Sequence, residues 1–168
     1  TARMNHPFVK KFVEERELTL MLVVDASASG MFGSHAQSKR ELAAEIASVL
    51  AFSAIRNNDK VGLILFTDEV EKFIPPRKGR RHALRLVSEV LQFRPRSPRT
   101  DLGAALELLR RAMRRRTVAF VLSDFLAPIR AAEWVRLRAL RWDVVPVIVQ
   151  DPTWEQRFPD VHGAVVPF

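Results

Sequence analysis

Apolar positions along the chain gather into short dense runs separated by longer amphipathic stretches, and the runs set the frame. Leu18 to Val24, LTLMLVV, is apolar except at Thr19. That is the pattern of a strand buried on both faces of a parallel sheet, and it predicts the central strand. KVGLILF at 60–66 and TVAFVL at 117–122 read the same way. So does the run from Asp143 to Val149, where Pro146 removes one ladder donor and suggests an edge or a bulge. Between the runs the period lengthens to that of helices. Ser38 and Glu41 make a capping box for a first helix with Leu42, Ile46, Val49, Leu50 and Ser53 on one face, ending at Asn57 and Asn58, which tolerate a left-handed cap. A second helix is expected from about Gly79 to Leu91, with Leu84, Val87 and Leu91 inward and its arginines outward. The third runs from Thr100 to Arg115, showing Leu102, Ala105, Leu106, Leu109 and Met113 at helical spacing, and the fourth from about Pro128, a suitable first-turn residue, to Leu140.

Thr67-Asp68 leads from the second run into a shorter strand around Glu69 to Ile74, which Pro75 and Pro76 close. So short a link demands an antiparallel hairpin, because a parallel pair needs a long crossover. FVKKFVEERE at 8–17 reads as an edge strand or an extended lead-in, and the terminal GAVVPF as a last edge strand. Strands alternate with helices over nearly all 168 residues. That alternation selects an α/β fold, a single domain with a doubly wound, Rossmann-like, mostly parallel sheet between two helical layers.

Such sheets present ligands at the carboxyl edge, where strand order reverses. Directly after the first strand, Asp25, Ser27 and Ser29 alternate with Ala26 and Ala28, delivering a carboxylate and two hydroxyls to that edge. These hard oxygen ligands suit magnesium, manganese or calcium, although serines after a strand also cap helices. The strand TVAFVL ends in Ser123-Asp124. If the two aspartate-terminated strands are neighbours, roughly 5 Å apart, Asp25 and Asp124 lie side by side, and two carboxylates so close repel unless a cation sits between them. Thr100, after the proline-broken loop FRPRSPRT, offers another hydroxyl. Its ordinary role is an N-cap, for which Asp101 serves equally.

Composition narrows the partners. Lys and Arg number 27 against 19 Asp and Glu, a net charge of +8, which favours acidic partners without naming one. The arginines gather at 77–81, at Arg94, Arg96 and Arg99, and at 110–116 with no aromatic residues interleaved, unlike the platforms that bind single-stranded nucleic acid. Those at 110–116 complement the end of a helix dipole, and Trp134 and Trp142 read as packing residues. The chain has no cysteine, which excludes disulfides and thiolate metal sites and makes the cytoplasm the simplest compartment. No apolar run reaches the roughly 18 residues of a membrane span. A start at Thr1 without an initiator Met reads as a fragment of a longer protein.

Three motifs together carry a family resemblance. Asp25-Ala26-Ser27-Ala28-Ser29, then Thr100-Asp101-Leu102-Gly103-Ala104-Ala105-Leu106, then Ser123-Asp124 resemble the D-x-S-x-S, T-x-L-G-x-A and aspartate motifs of von Willebrand factor A domains, which form the metal-ion-dependent adhesion site. HPFVKKFVEERE, NNDKVGLILFTDEVEKFIPPRKGRRH and FVLSDF look like the bacterial branch called domain of unknown function 58. The resemblance implies sheet order 3-2-1-4-5-6 with strand 3 antiparallel. It also implies a divalent cation, Mg2+ before Mn2+ or Ca2+, held by Asp25, Ser27, Ser29, Thr100 and Asp124. The implied function is a non-enzymatic binding module for an acidic partner residue, working beside a MoxR-type AAA ATPase, with Arg94, Arg96 and Arg99 as a positive rim. Two other readings compete. A haloacid-dehalogenase-like phosphohydrolase would need a second aspartate where Ser27 stands, and a hydroxyl has no useful basicity there. Nucleic-acid binding through the basic loops would show a steep salt dependence insensitive to chelator.

Overall fold

A computed structural model of the chain describes residues 17–27, 34–113, 117–127, 129–139 and 143–150. The apolar runs are strands: β1 (Thr19–Asp25), β2 (Lys60–Phe66), β3 (Val70–Arg77), β4 (Thr117–Ser123) and β5 (Asp143–Ile148). Helices α1 (Ser34–Arg56), α2 (Arg80–Gln92), α3 (Leu102–Ala112) and α4 (Ala131–Ala139) alternate with them. The sheet order among the described residues is β3-β2-β1-β4-β5, so β1 is central. It pairs in parallel with β2 and with β4, β5 continues the parallel set, and β3 alone runs antiparallel. The expected sixth strand, the lead-in at 8–16, and Trp142 lie outside the described residues, and the Trp134 side chain outside the described side chains.

Burial on both faces of β1 explains its uninterrupted apolar sequence. Met21, Leu22 and Val23 are fully buried and Val24 nearly so, and alternate residues feed two cores. Leu22 and Val24 pack with α1, α2 and β2 residues such as Leu63 and Leu86. Met21 and Val23 pack on the other face with Ile64, Phe66, Ala105 and Leu109. Helices therefore cover both faces, and the fold is a doubly wound α/β sandwich.

Several boundaries and faces differ from expectation. α1 begins at Ser34 rather than at a Ser38 cap. Its buried face is Ala43, Ala44, Ala47, Ala51 and Ala54, while Leu42 and Val49 are exposed, Val49 by 66%, and so is Ser53. Small residues let the helix lie close to the sheet, and the larger Ile46 and Leu50 pack at its margin. The face of α2 is shifted by one position, burying Ala83, Leu86 and Val90 and exposing Leu84 and Leu91. β3 continues through Pro75 and Pro76 to Arg77. An edge strand tolerates residues that donate no ladder bond, and the register shifts there between Val61 and Leu63. Gly62 sits at that irregularity because a Cβ would come 2.9 Å from both Ile74 O and Pro76 N. α3 is shorter than Thr100 to Arg115, and α4 begins at Ala131 rather than at Pro128. Asn58 takes the left-handed conformation expected after α1, with φ 59°.

Candidate metal centre at the carboxyl edge

Parallel pairing brings the carboxyl ends of β1, β2 and β4 level, and the polar residues that end them meet there. Val24 pairs with Leu122, and Asp25 with Phe66. One step beyond Val24 and Leu122, therefore, it is Ser123 that stands beside Asp25. Ser123 Oγ lies 2.7 Å from Asp25 Oδ2, a bond that sequence reasoning missed by taking Asp124 as the neighbour. Asp124, one residue further, lines the cleft beside Asp25: its Oδ1 accepts from Leu126 N at 3.1 Å, and its Oδ2 lies 3.5 Å from Lys39 Nζ. Phe125, between Asp124 and Leu126, has φ 54°, a conformation costly for a bulky residue, of the kind that clusters at functional sites. Its side chain packs against the β1/α3 core, and its N–H donates to Ser123 Oγ at 3.1 Å.

On the other side of Asp25, the chain turns sharply. Ser27 N donates to Asp25 Oδ1 at 2.9 Å, and Ala26 N to Phe66 O at 2.8 Å. Thr100 arrives from the loop before α3: its Oγ1 is 2.5 Å from Ser27 Oγ and 3.3 and 3.4 Å from the two Asp25 carboxylate oxygens. Thr100 is available for this because Asp101 is the N-cap of α3, accepting Gly103 N at 2.8 Å. Gly103 leaves room for the first turn of α4, since a Cβ there would meet Glu133 Oε1 at 2.8 Å. Asp25, Ser27 and Thr100 are thus brought together, with Asp124 on the same cleft. Ser29 lies outside the described residues.

The loop that carries Thr100 is held by the β2–β3 hairpin. Both carboxylate oxygens of Glu71 accept Arg96 N, at 3.0 and 3.1 Å, and Thr67 Oγ1 lies 2.8 Å from Glu71 Oε1. Asp101 N donates to Thr67 O at 2.8 Å. Arg99 pairs with Asp68 at 3.0 Å. The Asp68 carboxyl is held below its ordinary range, first by a hydrogen bond from the Ser97 side chain and also by the Arg99 charge. Arg94, Arg96 and Arg99 are all exposed, so the rim is basic, with the Arg99 charge partly offset by Asp68.

The cleft has a volume of about 80 Å3 and is lined by Asp25, Ser27, Lys39, Arg40, Ser123 and Asp124 over an apolar floor that includes Val24 and Leu65. Among the described residues no three His, Cys, Asp or Glu side chains cluster. The donors are instead two carboxylates and neutral hydroxyls. An all-oxygen set of this kind fits a hard divalent cation and not a soft one, and Asp25, Ser27, Thr100 and Asp124 are the residues able to hold it.

Sheet order, the single antiparallel edge strand and the two helical layers give a von Willebrand factor A-like fold. The chain belongs to the family described as protein of unknown function DUF58, whose sequence profile matches residues 1–166. Among curated relatives, the uncharacterized protein Mb1516 of Mycobacterium bovis is 37% identical over 169 residues, covering 99% of this chain and 53% of its own length. Rv1480 of Mycobacterium tuberculosis matches with the same figures. The chain therefore spans about half the length of these relatives. Among solved structures, an aerotolerance-related membrane protein from Bacteroides fragilis superposes with TM-score 0.62 at 17% identity, covering 89% of this chain and 80% of that one. Proximal thread matrix protein 1 from the mussel byssus, solved with a zinc-occupied MIDAS motif, gives 0.61 at 16% identity, covering 77% and 37%. Among the described residues, no helix is long and apolar enough to cross a membrane.

Proposed function

We propose that this domain is a metal-dependent protein-binding module that captures an acidic side chain of a partner through a divalent cation, Mg2+ first, and catalyses no reaction. The observation that carries the reading is the meeting of Thr100 with Asp25 and Ser27, from segments 73 to 75 residues apart in the chain, beside a cleft that Asp25 and Ser27 line together with Asp124. When bound there, the cation supplies an open position at which a hard metal exchanges water for a carboxylate oxygen. The protein's own residues do the rest. Asp25 and Asp124 provide charge, and the hydroxyls of Ser27 and Thr100 provide neutral ligands that leave the cation's positive charge under-compensated. Ser123 fixes the rotation of the Asp25 carboxylate. The exposed arginines at 94, 96 and 99 raise encounter rates with an acidic surface. The zinc-bearing mussel protein lends the reading support as a protein of like fold. Ser27, where a phosphohydrolase of the haloacid-dehalogenase kind would need its second carboxylate, speaks for binding over catalysis.

The partner in this proposal is a MoxR-type AAA ATPase with an exposed Asp or Glu, in the cytoplasm, as the family resemblance implies. The test is a binding assay with that ATPase in magnesium, in chelator, and with Ser27→Ala. Binding is expected only for the parent protein with metal. Binding that survives both chelator and substitution overturns the metal bridge, and phosphoester hydrolysis by the purified chain overturns the non-enzymatic reading.

A further inference from the structure

Lys39 reaches the cleft from α1, the helix that follows the serine loop. Its ammonium lies 3.5 Å from Asp124 Oδ2, and the two side chains are only 20% and 11% exposed. Both line the same cleft as Asp25 and Ser27. Two aspartates that converge on one small cleft need positive charge between or beside them, and here a residue of the chain itself carries it. The hydroxyls of Thr100 and Ser123 meet Asp25, whereas the cation of Lys39 meets Asp124. The cleft thus divides into a hydroxyl-supported carboxylate and a lysine-paired one.

The geometry points to Lys39 as a tethered counter-ion of the metal centre, one that a divalent cation must displace from Asp124 in order to bind. This rests on the reading that a divalent cation binds between Asp25 and Asp124. The ammonium is a compact point charge on a flexible four-carbon stem, so it can leave Asp124 without disturbing α1. It cannot stay beside a divalent cation sharing the same carboxylate, because like charges at such separations repel strongly in a partly buried site. Lys39 therefore lowers the affinity below what the oxygen ligands alone would give and moves half-occupancy to a higher free cation concentration. Once displaced, it remains at the mouth of the cleft as an additional positive charge facing an acidic partner. The site is then most positive when it is loaded.

The test is calorimetric titration of the full chain with MnCl2 alone, comparing the parent with Lys39→Met, Lys39→Gln and Lys39→Arg. Both neutral variants should bind manganese about tenfold more tightly, equivalent to ~1.4 kcal/mol, while Lys39→Arg, which keeps the charge, should stay near the parent. A second readout separates this role from that of a plain structural ion pair. Without metal the neutral variants should melt below the parent, and with MnCl2 their melting temperature should rise by more than the parent's. If manganese binds the parent and the neutral variants alike, or binds the variants more weakly, the counter-ion role is overturned and the metal site stands. If none of the proteins gives a binding heat or a melting shift, the metal reading fails and takes this inference with it.

Discussion

Ser123 Oγ is a buried donor to Asp25 and an acceptor from Phe125 N. Replacing it with alanine deprives a carboxylate and a backbone N–H of partners at once. Hydrogen bonds to charged groups contribute about 1.5–3 kcal/mol, and Ser123→Ala should lower stability by that amount in urea denaturation with chelator present. An unchanged midpoint would mean that the contact contributes nothing in solution. A separate ion-pair set makes a pH prediction. Glu107 on α3 is held at about 2, below its ordinary 4.5, by hydrogen bonds first from Arg110 and then from Arg111. A carboxyl whose folded pKa is depressed contributes stability above its unfolded pKa and loses it as pH falls through the folded one. Urea midpoints of Glu107→Gln should therefore fall less steeply than the parent's between pH 4.5 and pH 2. At this scale Asp25, Ser27 and Thr100 were legible in the sequence, since polar residues placed directly after an apolar run or before a helix declare themselves. Ser123 and Lys39 were not. The first reads as a polar stop before an aspartate, the second as an ordinary solvated lysine near the start of a helix, and only strand register and helix packing reveal their partners.

At the level of elements, the strands were easy to place and the helix faces were not. β1, β2 and β4 have no exposed residue, so their sequences need no choice of face. α1 does, and the choice of large aliphatics over alanines was the wrong one, because close packing against the sheet selects for small size and not only for hydrophobicity. In α2 the apolar residues flank one another at 83–84, 86–87 and 90–91, and the buried set is the first of each pair, Ala83, Leu86 and Val90. Pro75 and Pro76 signal a strand end in sequence but not in the fold, because the ladder-donor rule is strict inside a sheet and relaxed at its edge. One pair of variants checks the corrected face of α1. Ala47→Leu, fully buried, should cost about 1–3 kcal/mol by overpacking, whereas Val49→Ala should change stability by no more than about 0.5 kcal/mol, as exposed substitutions do. Equal costs in thermal melts would restore the face expected from sequence.

The whole molecule joins a sheet order that the family resemblance implied to a candidate site whose members lie between positions 25 and 124. A cation that binds only this assembled state adds stability by mass action, roughly 2.7 kcal/mol at a hundredfold excess over its dissociation constant. The melting temperature should rise in millimolar magnesium or manganese and stay flat for Asp25→Ala, and indifference of the parent protein would count against the site. The central place of β1 has a further consequence during synthesis. Its two neighbours are made at very different times: β2 follows across α1, but β4 and Ser123 come 98 residues after Asp25. At translation rates of about 5–20 residues per second, that gap lasts roughly 5–20 s. During it the central strand of the sheet has one edge unpaired, and such edges invite association with other chains. The cluster of Asp25, Thr100 and Ser123 cannot form until β4 closes that edge, so its completion marks the moment at which both edges of β1 are paired.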